Sequence, residues 1–542
     1  MKLRIPPELM PDEAIALQYF DVYFANAHPY VPVLNKNQFY HQWHHNRESI
    51  SPLILEAMFA IAGRLLEEPS QGHQWLALAS SKQSSCIHSD HYSPEPGHAD
   101  AFMDVPRLST LQALLMLLKA RESAPKRGYY FRSWMTVLQS IAMARDLGLH
   151  EHYDDHKYGR PCGSDPQECM LRTRIWQVMF VVELMVGSPQ GRTDLSIDPD
   201  TVDLTMPRSM PGDEAEYQTT RNFTVFASCI AQSRKLSDVY SRIKKRGNDW
   251  GNAPELSKLN QPFDEWIGEL SPDMQVSFPP DGTLPWLPSH FIGNLHTHHY
   301  LGIIILHRPQ LARLQPNDVE GKWKHHMLIC YNNAKLLCRL QESIYTNFGL
   351  IGFLSMQRGI NYAIYCILTC TVIHLVALTS PDPALNKDAR EYFTRHMRLL
   401  EKCTTAWPMP DMQHQVEALR EAFSADPSKP FELKPSFPYG SPAPSHQSPP
   451  GRMNSYGQSN VHRPSIDQQS LEGPHGPQMN FTGQPTPPMS SASMGATKGD
   501  SEGVQSLVMM ATGRGIPHQQ QSVPNTLPMV DPSTWNPSRI FE

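Results

Sequence analysis

The chain has 542 residues, 40% of them apolar, enough to bury at least one large core and far more than a small disulfide-stapled scaffold needs. Forty-seven Lys and Arg against 53 Asp and Glu give a net charge of −6, which excludes binding to nucleic acid mainly through a broad basic surface. Nine cysteines, odd in number and scattered from Cys86 to Cys403, read as reduced thiols of the cytosol or nucleus rather than as a secreted disulfide framework.

The first 30 residues carry Glu8, Asp12 and Glu13 and no unbroken apolar stretch, so they read as neither a secretory signal nor an Arg-rich transit peptide. Leu53, Ile54, Ala57, Met58, Ile61, Ala62 and Leu65 recur at three-and-four spacing and paint one face of a helix. Ser109 is expected to start another, with Gln112 three residues on as its capping box and Leu111, Leu114, Leu115 and Leu118 behind it. Over 132–147, Trp134, Val137, Leu138, Ile141, Ala142 and Arg145 keep helical spacing, and Gly148 supplies the left-handed residue that ends the helix. Strongly apolar helices are predicted over 171–186 and 296–307.

The stretch 362–378 is apolar but broken by Cys366, Thr369, Cys370, Thr371 and His374, and it is shorter than the ~20 residues a bilayer span usually needs. It reads as a buried core helix, with a membrane anchor as the rival. An amphipathic outer helix follows over 384–405. Clusters of Gly, Pro and Asp place loops at 67–70, 93–106, 153–166, 206–213, 247–254 and 279–288. No alternating strands and no fixed-period repeat occur, so the fold class is all-α over 1–425.

After Ala425 the composition changes. From Pro427 onward 19 of the 49 prolines fall in 116 residues rich in Ser, Gln, Gly and Met. Such a segment buries too little surface to offset its ordering entropy, so 426–542 is expected to be a disordered tail for activation or interaction with partners.

Signatures of chemistry are thin. His150, Glu151, His152, Asp154, Asp155 and His156 bring imidazoles and carboxylates into seven residues, the ligand types of zinc or nickel. They follow a helix-ending glycine on what should be a polar surface loop, so no metal is assigned to them. His41, His44 and His45, and His296, His298 and His299, lack the His-Glu-x-x-His pattern and read as helix-surface or core histidines. Cys366 and Cys370 lie on the apolar helix without a basic neighbour, and Cys330 and Cys338 share a helix; packing is the expectation for all four. The chain has no phosphate-cradling glycine loop, and 187–191 has the wrong spacing for a nucleophile elbow, so no catalytic residue is assigned. Arg242, Lys244, Lys245 and Arg246 form a short basic run that suits a helix end or part of a nuclear import signal.

Several stretches together resemble the fungal-specific transcription factor domain, the regulatory region of the binuclear zinc-cluster transcription factors. Tyr19-Phe20-x-x-Tyr23-Phe24, then His28-Pro29-Tyr30-x-Pro32-Val33-Leu34-Asn35-Lys36 and Phe39, is similar to its opening signature. Gly128 to Trp134, running through Asp146-Leu147-Gly148-Leu149-His150, resembles its most recognisable helix. Glu168, Arg172, Arg174, Ile175, Trp176 and Phe180 resemble its Glu-Arg-Arg-Arg-Ile-Trp-Trp stretch, and Gly191-Arg192 its Gly-Arg-Pro segment. His307-Arg308-Pro309 resembles the end of a later helix. The match is strongest over 15–310.

Thr193, Gln177 and Val182-Glu183-Leu184 depart from the family pattern, the last by removing an Asp-Arg pair. The resemblance implies an all-helical regulator of RNA polymerase II transcription in a fungal nucleus, not an enzyme. It implies co-regulators as partners of the tail, a small-molecule effector, and a homo- or heterodimer. Zinc is implied only for the family's N-terminal six-cysteine cluster; here the first cysteine is Cys86 and no two stand as Cys-x-x-Cys, so this chain is expected to bind neither that zinc nor DNA directly, nor a membrane. The residues also admit a helical metalloenzyme using His150, His152 and His156, or a truncated scaffold that pairs with a full-length regulator. Trp134 is read as a helix anchor, and Arg174 and Glu168 as residues that orient their helix against its neighbours.

Overall fold

The computed structural model describes residues 5, 9–66, 69–80, 105–122, 129–209, 212–244, 256, 258–311, 321–380, 382–407 and 431–432. Among them every regular element is helical and none is a strand. Helix α1 (Glu13–Val22) widens into a π turn over Tyr23–Ala27, and α2 spans Lys36–His45. Then come α3 (Pro52–Leu65), α4 (Pro69–Ser80), α5 (Leu108–Arg121), α6 (Tyr129–Asp146) and the short α7 (His152–Lys157). The long helices α8 (Pro166–Gly187) and α9 (Glu214–Lys244) follow, with α10 (Asn260–Gly268) after them. The rest comprises α11 (His290–Leu311), α12 (Lys322–Phe348), α13 (Ile351–Leu354), α14 (Ile360–Thr379), α15 (Pro383–Asn386) and α16 (Ala389–Ala406).

Local chemistry starts these helices where the polar residues allow it. Asn35 caps α2 by accepting from the Gln38 N–H at 2.9 Å, and Asp165 caps α8 by accepting from the Glu168 N–H at 2.9 Å, with Pro166 at the first helical position. Gly148, at φ 70°, closes the turn after α6. Ser109 does not start α5 as the capping pattern suggests. The helix begins at Leu108 without a side-chain cap, and Gln112 spends its amide on the Val33 carbonyl at 2.6 Å. A tertiary acceptor outcompetes the local one, because a buried carbonyl left unpaired is costly. The 153–166 loop also departs from expectation: its first residues are wound into α7.

The helices stack in a continuous series. α3 packs on α1, α4 and α5; α6 bridges α5 and α8; α9 joins α8 to α11; and α12 links α11 to α14 and α16. One apolar cluster runs through all of them, from Phe20 and Phe59 to Ile364 and Leu400. Close contact between α11 and its neighbours depends on two glycines: a Cβ on Gly293 would sit 2.7 Å from Ile344, and one on Gly302 would sit 2.7 Å from the Phe263 ring.

Helix α14 is long and apolar enough to cross a bilayer by length and composition, yet 72% of its apolar window is buried by the surrounding helices. Its role as a core helix follows from that burial. Residues 431–432 lie beyond the expected boundary at 425, and Phe431 is fully buried against Phe393 of α16, with its N–H donating to Glu401 and its carbonyl accepting from Arg398. The helical body thus includes a segment past 425. Apart from these two residues, the proposed tail lies outside the described residues, as do Lys245 and Arg246 of the basic run.

Candidate functional site

Among the described residues, the arginine with four hydrogen bonds that is also fully buried is Arg174, on the inner face of α8 and 0% exposed. Its Nε donates to the Pro32 carbonyl at 2.9 Å and its Nη2 to the Leu34 carbonyl at 3.0 Å. Nη1 donates to Glu216 Oε2 at 2.6 Å and Thr220 Oγ1 at 3.0 Å, both on α9. Glu216 also accepts from the Lys36 N–H at 3.1 Å, so the carboxylate caps the turn that the guanidinium holds. Two more side chains grip the same segment: His28 Nε2 meets the Leu34 carbonyl at 2.9 Å, and Gln112 of α5 donates to Val33. Residues 28–36 are therefore clamped by backbone contacts from α5, α8 and α9.

Burial shapes the protonation of this centre. It pushes the His28 imidazole down to about 3, helped by the nearby Arg174, and raises the Tyr23 phenol well above its usual range. Burial lowers Arg174 while the Glu216 carboxylate opposes that shift, and the two side chains meet out of contact with water at 2.6 Å.

A second buried network starts from the same segment and reaches the C-terminal half. The Tyr30 hydroxyl contacts His290 Nδ1 at 2.9 Å and accepts from the Asn294 amide at 2.7 Å, and that amide also donates to the Gly352 carbonyl. Gln357 donates to the Tyr30 carbonyl at 2.6 Å. The Lys119 ammonium of α5 pairs with Glu122 and donates to the Met356 carbonyl. The segment 28–36 is thus bonded to helices on both sides of the body.

The profile of the family described as "Fungal specific transcription factor domain" matches residues 20–267, which hold this clamp and helices α2 to α9. Residues 20–267 are thus similar to a fungal-specific transcription factor domain. Cutinase transcription factor 1 alpha of Fusarium vanettenii is 20% identical over 434 residues, which cover 75% of this chain and 43% of the relative. An uncharacterized transcriptional regulatory protein of Schizosaccharomyces pombe is 24% identical over 232 residues, 42% of this chain and 32% of the relative. The chain spans less than half the length of these curated relatives. No solved structure matches it.

The signature residues of the fungal-specific transcription factor domain fall into three groups. Tyr19 and Phe20 are buried, with Phe20 packed edge-on against Phe39 and Trp43 at 4.8 Å, and His28 lies in the clamp just described. Pro29 sits within the turn between α1 and α2. Trp134 is an anchor of α6: the Arg192 guanidinium lies 4.3 Å over its ring, and a Cβ on Gly187 would meet the ring at 3.1 Å. Gly191, at φ 64°, makes the turn that delivers Arg192 there. Trp176 is buried, and its indole N–H donates to Thr201 at 3.1 Å.

The second group is peripheral. Glu168 and Arg172 pair with each other at 2.9 Å along the outer edge of α8, and Arg172 reaches the Leu147 carbonyl at 3.3 Å. Glu168 makes no ion pair with Arg174; Arg174, expected at the helix margin, is instead fully interior and takes its partner from α9. Asp146 is exposed. The third group lies in α11, outside the profile match. His307 contacts His326 Nδ1 and Asn260 Oδ1, each at 2.8 Å; Arg308 bonds the Tyr365 phenol; and Pro309 is buried within the helix.

The departures from the family pattern are compensated in place. Glu183 is fully buried, accepts the Ser196 and Ile197 N–H groups at 2.5 and 3.1 Å, and faces Arg234 of α9 at 3.5 Å. Gln177, where a second Trp is usual, donates to the Asp203 carbonyl and to Thr224. The sequence reading missed Glu216, Thr220, Lys119, His290 and Asn294, and it met Glu183 only as a departure from the family pattern. Their only local signal is a polar residue on an otherwise apolar helix face, at Glu183 in Phe180–Met185 and at Thr220 and Thr224 one turn apart.

The histidines of α11 are interior. Burial holds His298 and His299 at about 3, and His296 contacts the Met274 carbonyl at 2.8 Å. His44 and His45 lie exposed at the end of α2. Cys330, Cys338, Cys366 and Cys370 are buried in the core, which pushes their thiols up.

Proposed function

We propose that the protein regulates transcription by RNA polymerase II in a fungal nucleus, through the fungal-specific transcription factor domain, and that it performs no catalysis. The single observation that carries this reading is that residues 28–36, within the stretch matched by the domain profile, are clamped from inside by His28, Gln112, Arg174 and Glu216. Polar residues spent on backbone carbonyls and helix–helix ties shape a body; they do not converge on an open site with a matched acid, base and nucleophile. Sequence-specific DNA contact and the zinc that supports it belong, in this reading, to the cluster module of the family and not to residues 1–542.

Control by an effector would work through the clamp, because a ligand shifts a packing equilibrium only by its differential affinity for the two arrangements. The cleft lined by Ala27, Ile61, Arg64, Lys119, Leu354 and Ser355 has room for about one water, so a metabolite would bind there only by parting α3 from α5. Co-regulators are assigned to the chain after 432, and a second regulator chain to the outer helix faces.

The test is a reporter assay in a fungal cell with the full chain fused to an unrelated DNA-binding domain. A change in reporter output of several-fold over the DNA-binding domain alone, with a fluorescent fusion concentrated in the nucleus, is the expected result. Unchanged output in both directions, or a sequence-specific mobility shift produced by the purified 542-residue chain, would overturn the reading.

A further inference from the structure

The loop between α6 and α8 brings together four residues that no part of the transcription factor reading uses. His152 and His156 lie one turn apart on α7 with ring centroids 4.6 Å apart. The chain then doubles back so that Cys162 offers its sulfur to the same point: ligand atoms of His152, His156 and Cys162 all lie within 4.8 Å of one another. Cys169, in the first turns of α8, places its sulfur 3.4 Å from that of Cys162. Sequence spacing hides this set, because the acidic residues between the histidines point attention to His150 and the carboxylates, while the thiols arrive from beyond Gly159 and Gly163. Both glycines have positive φ, 66° and 72°, and they turn the loop back on itself.

We infer that His152, His156, Cys162 and Cys169 form a metal site of the Cys2His2 class that takes one zinc ion. Two independent features support the donor set. His152 is 5% exposed, yet its Nε2 has no hydrogen-bond partner, while its ring engages the backbone of Cys169. A ligating histidine commonly anchors one nitrogen on a backbone carbonyl so that the other is aimed at the metal, and an unpaired buried nitrogen is otherwise an uncompensated cost. Mixed thiolate and imidazole donors favour zinc over magnesium, calcium or manganese.

Burial, and after it the neighbouring Cys162 sulfur, pushes the Cys169 thiol up to about 12. Zinc takes cysteine as the thiolate, so each Zn–S bond forms as a thiol gives its proton to solvent, and affinity falls as pH falls. The ion would tie α7 and the 158–164 loop to the start of α8, one turn from the Glu168–Arg172 pair, and it would fix the N-terminal end of the helix that carries Arg174. His150 is not part of the set: its Nε2 faces Glu151 at 3.5 Å.

The full chain, purified under reducing conditions and dialysed against zinc-free buffer, should carry one zinc per chain by elemental mass spectrometry. Replacing zinc with cobalt should give a cobalt–thiolate charge-transfer band and the intense visible bands of a tetrahedral ion. Cys162→Ser and His152→Ala should each weaken zinc binding by at least about tenfold, with Cys169→Ser weakening it and His150→Ala leaving it unchanged. Cys162 is partly exposed, so its serine variant reports on metal even if His152→Ala fails to fold. A metal-free wild-type chain that does not take up added zinc would overturn the proposal. So would equal zinc binding by Cys162→Ser, or a chain isolated with thiols blocked that is two hydrogens lighter through a 162–169 disulfide.

Discussion

The two halves of the body are held by different means. Around residues 28–36, buried polar groups are matched almost atom for atom: Arg174 to two carbonyls, a carboxylate and a hydroxyl, Glu216 to Arg174 and an N–H, Gln112 to a carbonyl. In the half built from α11, α12, α14 and α16, apolar packing dominates, and the histidines of α11, α14 and α16 are buried, as are the cysteines. There His374 and His396 stack at 5.1 Å, neither ring nitrogen of His396 has a hydrogen-bond partner, and burial pushes His374 to about 3 and His396 well below the usual range. A matched ion pair fixes one arrangement and fails when either partner is removed. Neutral rings in an apolar core tolerate small changes in shape but respond to protons.

Acid should expose that contrast most strongly. The histidines of the C-terminal half titrate near 6.5 when unfolded and, at His298, His299, His307 and His374, near 3 when folded. The unfolded chain then binds more protons throughout that window, so stability is fully present above about pH 6.5 and is lost as pH falls toward 3. Hydrogen exchange at pH 5 should show protection falling more over 290–406 than over 13–66, where His28 is the one strongly shifted histidine among the described residues. Equal loss in both regions would remove the distinction.

Arg174→Ala should cost about 3–5 kcal/mol, because it leaves Glu216 buried without its partner. Thermal denaturation checks it, and an unchanged melting curve would rule out the clamp as a stabilising device. The double change Arg174→Met with Glu216→Leu sharpens the point: removing both charges together should recover much of that loss while loosening residues 28–36, visible as faster amide exchange there. In the other half, Ile364→Val removes one methylene from a fully buried position and should cost about 1 kcal/mol by denaturant unfolding. The smallest effect is expected at the rim of α8. Glu168→Ala, which breaks a half-exposed pair with Arg172, should change stability by under about 1 kcal/mol.

Helix positions were legible because burial imposes a period on side chains: Leu53 to Leu65 in α3, Trp134 to Arg145 in α6, and the left-handed Gly148 all emerge from spacing alone. The resemblance located the signature residues, among which Arg174 and Trp134 are buried, one against the Pro32 and Leu34 carbonyls and the other under the Arg192 guanidinium. What spacing does not encode is which distant backbone a polar side chain will meet. Gln112 looked like a local cap and bonds Val33 instead; Arg174 looked like a residue of the helix margin and is interior, with its carboxylate partner 42 residues away on α9. The four residues of the metal proposal were opaque for the same reason, since two loop reversals bring Cys162 and Cys169 beside α7.

Arg174 reads main-chain oxygens at Pro32 and Leu34, not their side chains. Those bonds do not depend on which side chains stand at 32 and 34; what restricts the stretch is the core it enters, with Val33 and Leu34 both buried. Two constraints therefore fall on one short segment: its course is held through the main chain by an arginine and a glutamate, and its identity by the apolar space its side chains fill.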